Sequence, residues 1–135
     1  MDRQLISDTR STVVKQVNQI LTMIYWQIGK RIQSQVLDNQ RAEYGKQTVQ
    51  QLSQQLSDEF SKGFTYSSLT RTVKFYLAFS DEKIVTTLSQ QLNWSHIVEL
   101  IKLNNEIQRE FYTQMSIIIQ RVKFALASFF YSPKR

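Results

Sequence analysis

LSQQLSDEFSKGFTYSSLTRTVKFYLAF, residues 52–79, is the stretch whose reading decides the fold. Leu52, Leu56 and Phe60 recur every four residues and so share one helical face. Ser61-Lys62-Gly63-Phe64 follows, with a glycine able to take the positive φ that ends a helix and Thr65 able to cap the next one. Leu69, Val73 and Tyr76 then recur at helical spacing, with Phe79 completing the stripe. Two amphipathic helices joined by so short a turn pack against each other. That is a helix-turn-helix-like pair, an arrangement that nucleic-acid-binding proteins commonly use.

The second helix also carries Tyr66, Ser67, Ser68, Arg71, Thr72 and Lys74 on its expected outer face. Lys62 lies in the turn, and from Phe60 to Ser80 there are three cations and no acid. Small hydroxyls near a helix N-terminus, followed by Arg and Lys, suit contact with phosphate and base edges. These seven residues are the candidate nucleic-acid-binding set. The alternative is a plain helical hairpin with a solvated polar face.

Working outward, residues from about Ser7 to Leu37 read as one long helix. Val13, Val17, Ile20, Leu21, Ile24, Ile28, Ile32 and Val36 follow i, i+3, i+4 spacing, and Asp8 falls in the expected first turn. About 30 residues of helix span about 45 Å, long enough to project or to pair with another chain. Trp26 is offset from this stripe and is expected under a neighbouring helix. Gly29, costly inside a helix, points to close approach of a second helix. Asp38-Asn39-Gln40 ends the element, Arg41 to Lys46 reads as a connection, and Thr48 as the next helix start. Ser80-Asp81-Glu82 opens another helix with Ile84, Val85, Leu88 and Leu92 on its apolar face. Ser95 is expected to cap a helix through Leu103, and Glu106 to Met115 forms one more, burying Ile107, Phe111 and Met115.

With three Gly, one Pro and no hairpin dipeptides, the 135 residues read as all-α: a long N-terminal helix followed by a helical bundle containing the helix-turn-helix-like pair. There is no cysteine and a single histidine, which leaves no disulfide and no metal site. No cofactor is expected. His96 lacks a nucleophile or a titrating partner nearby in sequence and reads as structural. No secretory signal opens the chain, so the expected setting is the cytoplasm. The net charge of +6 suggests an anionic partner, yet four of the 17 bases lie in the acid-free last twenty residues, so the body is only mildly basic.

The ordered set VNQILTMIYWQIGKRI (Val17–Ile32), AEYGKQTVQQLSQQLSDEF (Ala42–Phe60), GFTYSSLTRTVKFYLAF (Gly63–Phe79), LSQQLNWSHIVELIK (Leu88–Lys102) and NEIQREFYTQ (Asn105–Gln114) resembles the N-terminal domain of the YhcG family. These are bacterial proteins that usually carry a PDDEXK-type nuclease domain further along the chain. The resemblance implies an all-helical module that helps a nuclease recognise nucleic acid, with DNA as the expected partner. It supplies no set of contact residues. Family members continue after the position of Met115 into a Gly-Trp-Ser segment, a further helix and the nuclease. Here the chain continues SIIIQRVKFALASFFYSPKR, apolar and basic. Residues 1–115 are therefore expected to form the YhcG-like domain, and 116–135 a divergent tail left by truncation.

A PDDEXK site needs an Asp and a Glu-x-Lys on adjacent strands to hold Mg²⁺ and position water. No Glu-x-Lys occurs; Glu82-Lys83 are adjacent, and Glu99 and Lys102 stand at the i, i+3 spacing of a surface pair. No catalytic residue and no enzymatic activity are expected. The tail is too short and too charged, at Arg121 and Lys123, to span a membrane, and it is expected to pack on the domain as an amphipathic helix. Two other functions stay open: an interaction module that self-associates or binds a partner nuclease through the long first helix, and a non-functional remnant.

Overall fold

The computed structural model describes residues 2–37 and 42–131. Six α-helices account for most of them: α1 (Arg3–Ile32), α2 (Ala42–Glu59), α3 (Tyr66–Ala78), α4 (Glu82–Gln91), α5 (Trp94–Ile101) and α6 (Glu106–Tyr131). Among the described residues there is no strand, so the all-α expectation holds. Among the described residues no helix is long and apolar enough to cross a membrane.

Several boundaries differ from the sequence reading. The first helix begins at Arg3, where the Asp2 carboxylate accepts the Gln4 amide at 2.9 Å, so Asp8 is not in the first turn. After Ile32 a five-residue π-helical turn, Gln33–Leu37, follows. The expected break at Asp38-Asn39-Gln40 lies outside the described residues. Helix α2 starts at Ala42, so most of the expected connection is helical, and Thr48 donates its hydroxyl to Tyr44 O rather than capping. Helix α4 starts where expected, with Asp81 accepting the Lys83 amide.

The chain divides into two compact units, residues 1–20 with 86–135, and residues 21–85. In the second unit Ile32, Val49, Leu69 and Val73 form a buried cluster, flanked by Ile28, Leu52, Leu56, Phe64 and Tyr66. Trp26 and Phe75 are the largest fully buried side chains of this unit. The Trp26 indole donates to Phe79 O at 2.7 Å and meets Tyr76 edge-on at 5.5 Å, which bears out its expected burial. Gly29 lies against the backbone of Thr72, as its position inside a helix suggested: a Cβ there would run into the Thr72 carbonyl group. Phe60 is an exception to the apolar stripe of α2. It is exposed, its ring against Phe64 at 6.3 Å between centroids.

In the first unit Leu88, Leu92, Ile97, Leu100, Ile101 and Ile117 are buried. The N-cap of α5 is Asn93, not Ser95. Its side chain accepts the His96 amide at 3.1 Å, while its own amide donates to His96 Nδ1 at 3.3 Å. His96 thus completes a reciprocal cap, the structural role expected of it. Glu99 and Lys102 form the expected surface ion pair at 3.0 Å. Helix α6 runs well past Met115 as one continuous element. Ile107, Phe111 and Met115 are exposed rather than buried, and residues 121–130 are exposed throughout. The tail is helical and is anchored at Ile117, while residues 121–130 do not pack as expected.

Candidate nucleic-acid interface

The helical pair is fixed by its turn. Ser53, on α2, donates its hydroxyl to Phe64 O at 2.6 Å, and Ser57 reaches the same carbonyl at 3.4 Å. Gly63 donates its amide to the Ser61 hydroxyl, and its φ lies outside the left-handed region, so the turn does not use the freedom the sequence offered. Thr65 is extended (φ −70°, ψ 161°) and its hydroxyl accepts the Ser68 amide at 3.1 Å. The cap that the sequence predicted is therefore present, and it starts α3 one residue later.

Two neighbours cover α3. Leu69 and Val73 face α2 in the shared cluster. Thr72 and its neighbours face α1 at Gly29. What remains is a narrow outward arc. Ser67 and Lys74 are exposed on it and Arg71 is half-buried. Their spacings of four and three residues put the three side chains on one face. Leu77 is exposed on the same side, and Lys62 is exposed in the turn.

The other candidates are turned elsewhere. Thr72 is buried, and its hydroxyl donates to Leu69 O at 2.7 Å. It is absent from the outer face because α1 covers that side of the helix. Tyr66 is half-buried against the apolar cluster. The Ser68 hydroxyl accepts from Thr65 Oγ1 at 3.0 Å, within the cap. The sequence reading placed all these residues on one face because it allowed α3 a single packing partner. Phe75, fully buried and outside the predicted stripe, was the sign of a second.

Among the described residues, no group of three or more His, Cys, Asp or Glu side chains could hold a metal ion. The outward arc can do one thing chemically: offer fixed positive charge and a hydroxyl to an anion.

Residues 2–128 match the family described as the DUF1016 N-terminal domain. The match runs beyond Met115 into the segment read as a divergent tail. Over 89 residues the chain is 34% identical to the protein named "Putative nuclease YhcG" of Escherichia coli (strain K12), a match covering 65% of this chain and 24% of that protein. No solved structure matches.

Proposed function

The chain belongs to the DUF1016 N-terminal domain family, and from that premise we propose that it is a non-catalytic, DNA-binding helical module that serves a nuclease. The observation that carries this reading is the outward arc of α3, where Arg71, Lys74 and Ser67 share a face within a run that holds no acid from Phe60 to Ser80. Arg71 and Lys74 contact phosphate, Ser67 lies beside them, and Lys62 extends the contact from the turn. The relative's name, which says nuclease, supports the choice of partner. Because the match covers 24% of that relative, the nuclease activity itself is not assigned to these residues.

Fluorescence anisotropy with labelled duplex, branched and single-stranded DNA at two salt concentrations tests the reading. Each lost phosphate contact lowers the slope of log affinity against log salt by about 0.9 on duplex. Arg71→Ala with Lys74→Ala is therefore expected to weaken duplex binding and to flatten the slope by about 1.8. Unchanged affinity and slope in a folded double variant would remove the assignment.

A second reading, self-association, is favoured by a different observation. On α1 the apolar side chains Val13, Val17, Ile20 and Ile24 follow a 4-3-4 spacing, the seam of a coiled coil, and all four are exposed by 45% or more. Light scattering across protein concentration separates the readings: a constant monomer mass is incompatible with self-association.

A further inference from the structure

The unit formed by residues 1–20 and 86–135 contains a cleft of about 570 Å³, lined by α1, the end of α4 and α6. Three of its lining residues are cations, Lys15, Arg121 and Lys123, and none is an acid. None of the three is paired with a carboxylate among the described residues. Phe124 lines the same cleft, mostly exposed, with the Lys15 ammonium 5.6 Å from its ring centroid. Gln90 and Gln91 add side-chain amides, while Gln120 is engaged by His96 at 3.3 Å.

Each ingredient alone is ordinary. Together they match the requirements of one ligand class. A concave wall of like charge focuses the field and concentrates anions. An exposed aromatic ring offers a platform on which a base of any sequence can stack. Amides reach both phosphate oxygens and base edges. The volume lies within the range of small-ligand sites. A duplex keeps its bases stacked inside and has no use for the ring, whereas a single strand presents phosphate and base together.

We propose that this cleft binds a single-stranded nucleic-acid segment, with Lys15, Arg121 and Lys123 on the phosphates and Phe124 stacked on a base. The proposal rests on the nucleic-acid reading in kind but not in location, since α3 lies in the other unit and shares no residue with the cleft.

The test uses the full chain and labelled single-stranded oligonucleotides, DNA and RNA, beside a duplex of the same length. All four side chains are exposed, so substitution leaves the fold intact, checked by circular dichroism. Arg121→Gln with Lys123→Gln lowers single-strand affinity at least tenfold and flattens its salt slope by about 1.4, at 0.7 per contact. Phe124→Ala lowers the same affinity five- to a hundredfold at an unchanged salt slope, a split that loss of charge does not produce.

Failure here and failure of the α3 reading give different results. Single-strand affinity unchanged in the Arg121→Gln, Lys123→Gln protein, or no single-strand binding by the native protein at low salt, overturns the cleft whatever duplex binding does. Loss in that variant with no effect of Phe124→Ala overturns the stacked base and reduces the cleft to a general anion patch. Loss in both cleft variants, with duplex binding indifferent to Arg71, upholds the cleft and removes α3.

Discussion

Replacing Gly29 with alanine adds one methyl group at the point where α1 meets α3. The new Cβ would overlap the carbonyl carbon and oxygen of Thr72 and stand 3.0 Å from Val73 N. Those atoms are backbone, so no rotamer change relieves the overlap, and the two helices must part by on the order of 1 Å. A gap of that size forfeits a quarter to a half of each dispersion contact across the interface. The buried residues that share this interior, Trp26, Val73 and Phe75, all feel it. Overpacking in a core costs about 1–3 kcal/mol, and a backbone-to-backbone clash belongs at or above the top of that range. Alanine recovers about 1 kcal/mol of helix propensity over glycine. The net loss is about 2–3 kcal/mol, or about 10 °C in Tm for a chain of this size. Thermal and urea unfolding followed by circular dichroism read it directly. Gly63→Ala is the control: its nearest neighbour is the Ser61 hydroxyl at 3.5 Å, an ordinary contact, and its effect stays within about 0.5 kcal/mol. A Gly29→Ala protein as stable as the native one would refute the close approach, and with it the account of why Thr72 is withdrawn from the outer face.

Thr22 is fully buried and its hydroxyl has no hydrogen-bond partner among the described residues. Thr22→Val keeps the shape and removes the unmet group, so Tm rises, reflecting about 1–2 kcal/mol. Trp26→Phe gives up the 2.7 Å bond to Phe79 O and part of a filled volume, and urea midpoints should fall by the equivalent of about 2–3 kcal/mol. On the exposed seam of α1, Ile20→Glu should leave the circular dichroism and Tm near native while abolishing any concentration-dependent rise in mass on light scattering.

How far the sequence could be read follows from what each residue type signals. Periodicity gave the six helical stretches, because apolar spacing and caps such as Thr65 and Asp81 are local. Gly29 and Trp26 were legible too, since each is a misfit that only a close neighbour explains. Which face is covered was not legible. On α1 the richest apolar stripe, Val13 to Ile24, is exposed, while Thr22, Trp26, Gly29 and Ile32 are buried. Hydrophobicity states what gains from being covered. It does not state what covers it. The same gap explains Thr72, a polar residue that is buried and satisfies its hydroxyl on its own helix. The basic residues of α6 were read as tail charge because their relation to Lys15 is set by packing alone.

The manner in which α3 is held bears on what its outward arc can do. Its approach is fixed at Phe64 by Ser53, its middle by the backbone of Thr72 at Gly29, and its end at Phe79 by the Trp26 indole. All three contacts engage main-chain atoms of the segment, so no rotamer change on α3 can loosen them. Arg71 and Lys74 therefore project from a rigid support, and an anion they meet is bound without the cost of ordering the backbone beneath them. This separates two classes of substitution. Changes on the arc alter affinity and leave stability near native, because none of those side chains belongs to the buried apolar cluster. Changes at the clamps alter stability first, and alter affinity only through displacement of the helix. A variant of Arg71 or Lys74 that unfolded the protein would contradict the arrangement as surely as a clamp variant that left it unmoved.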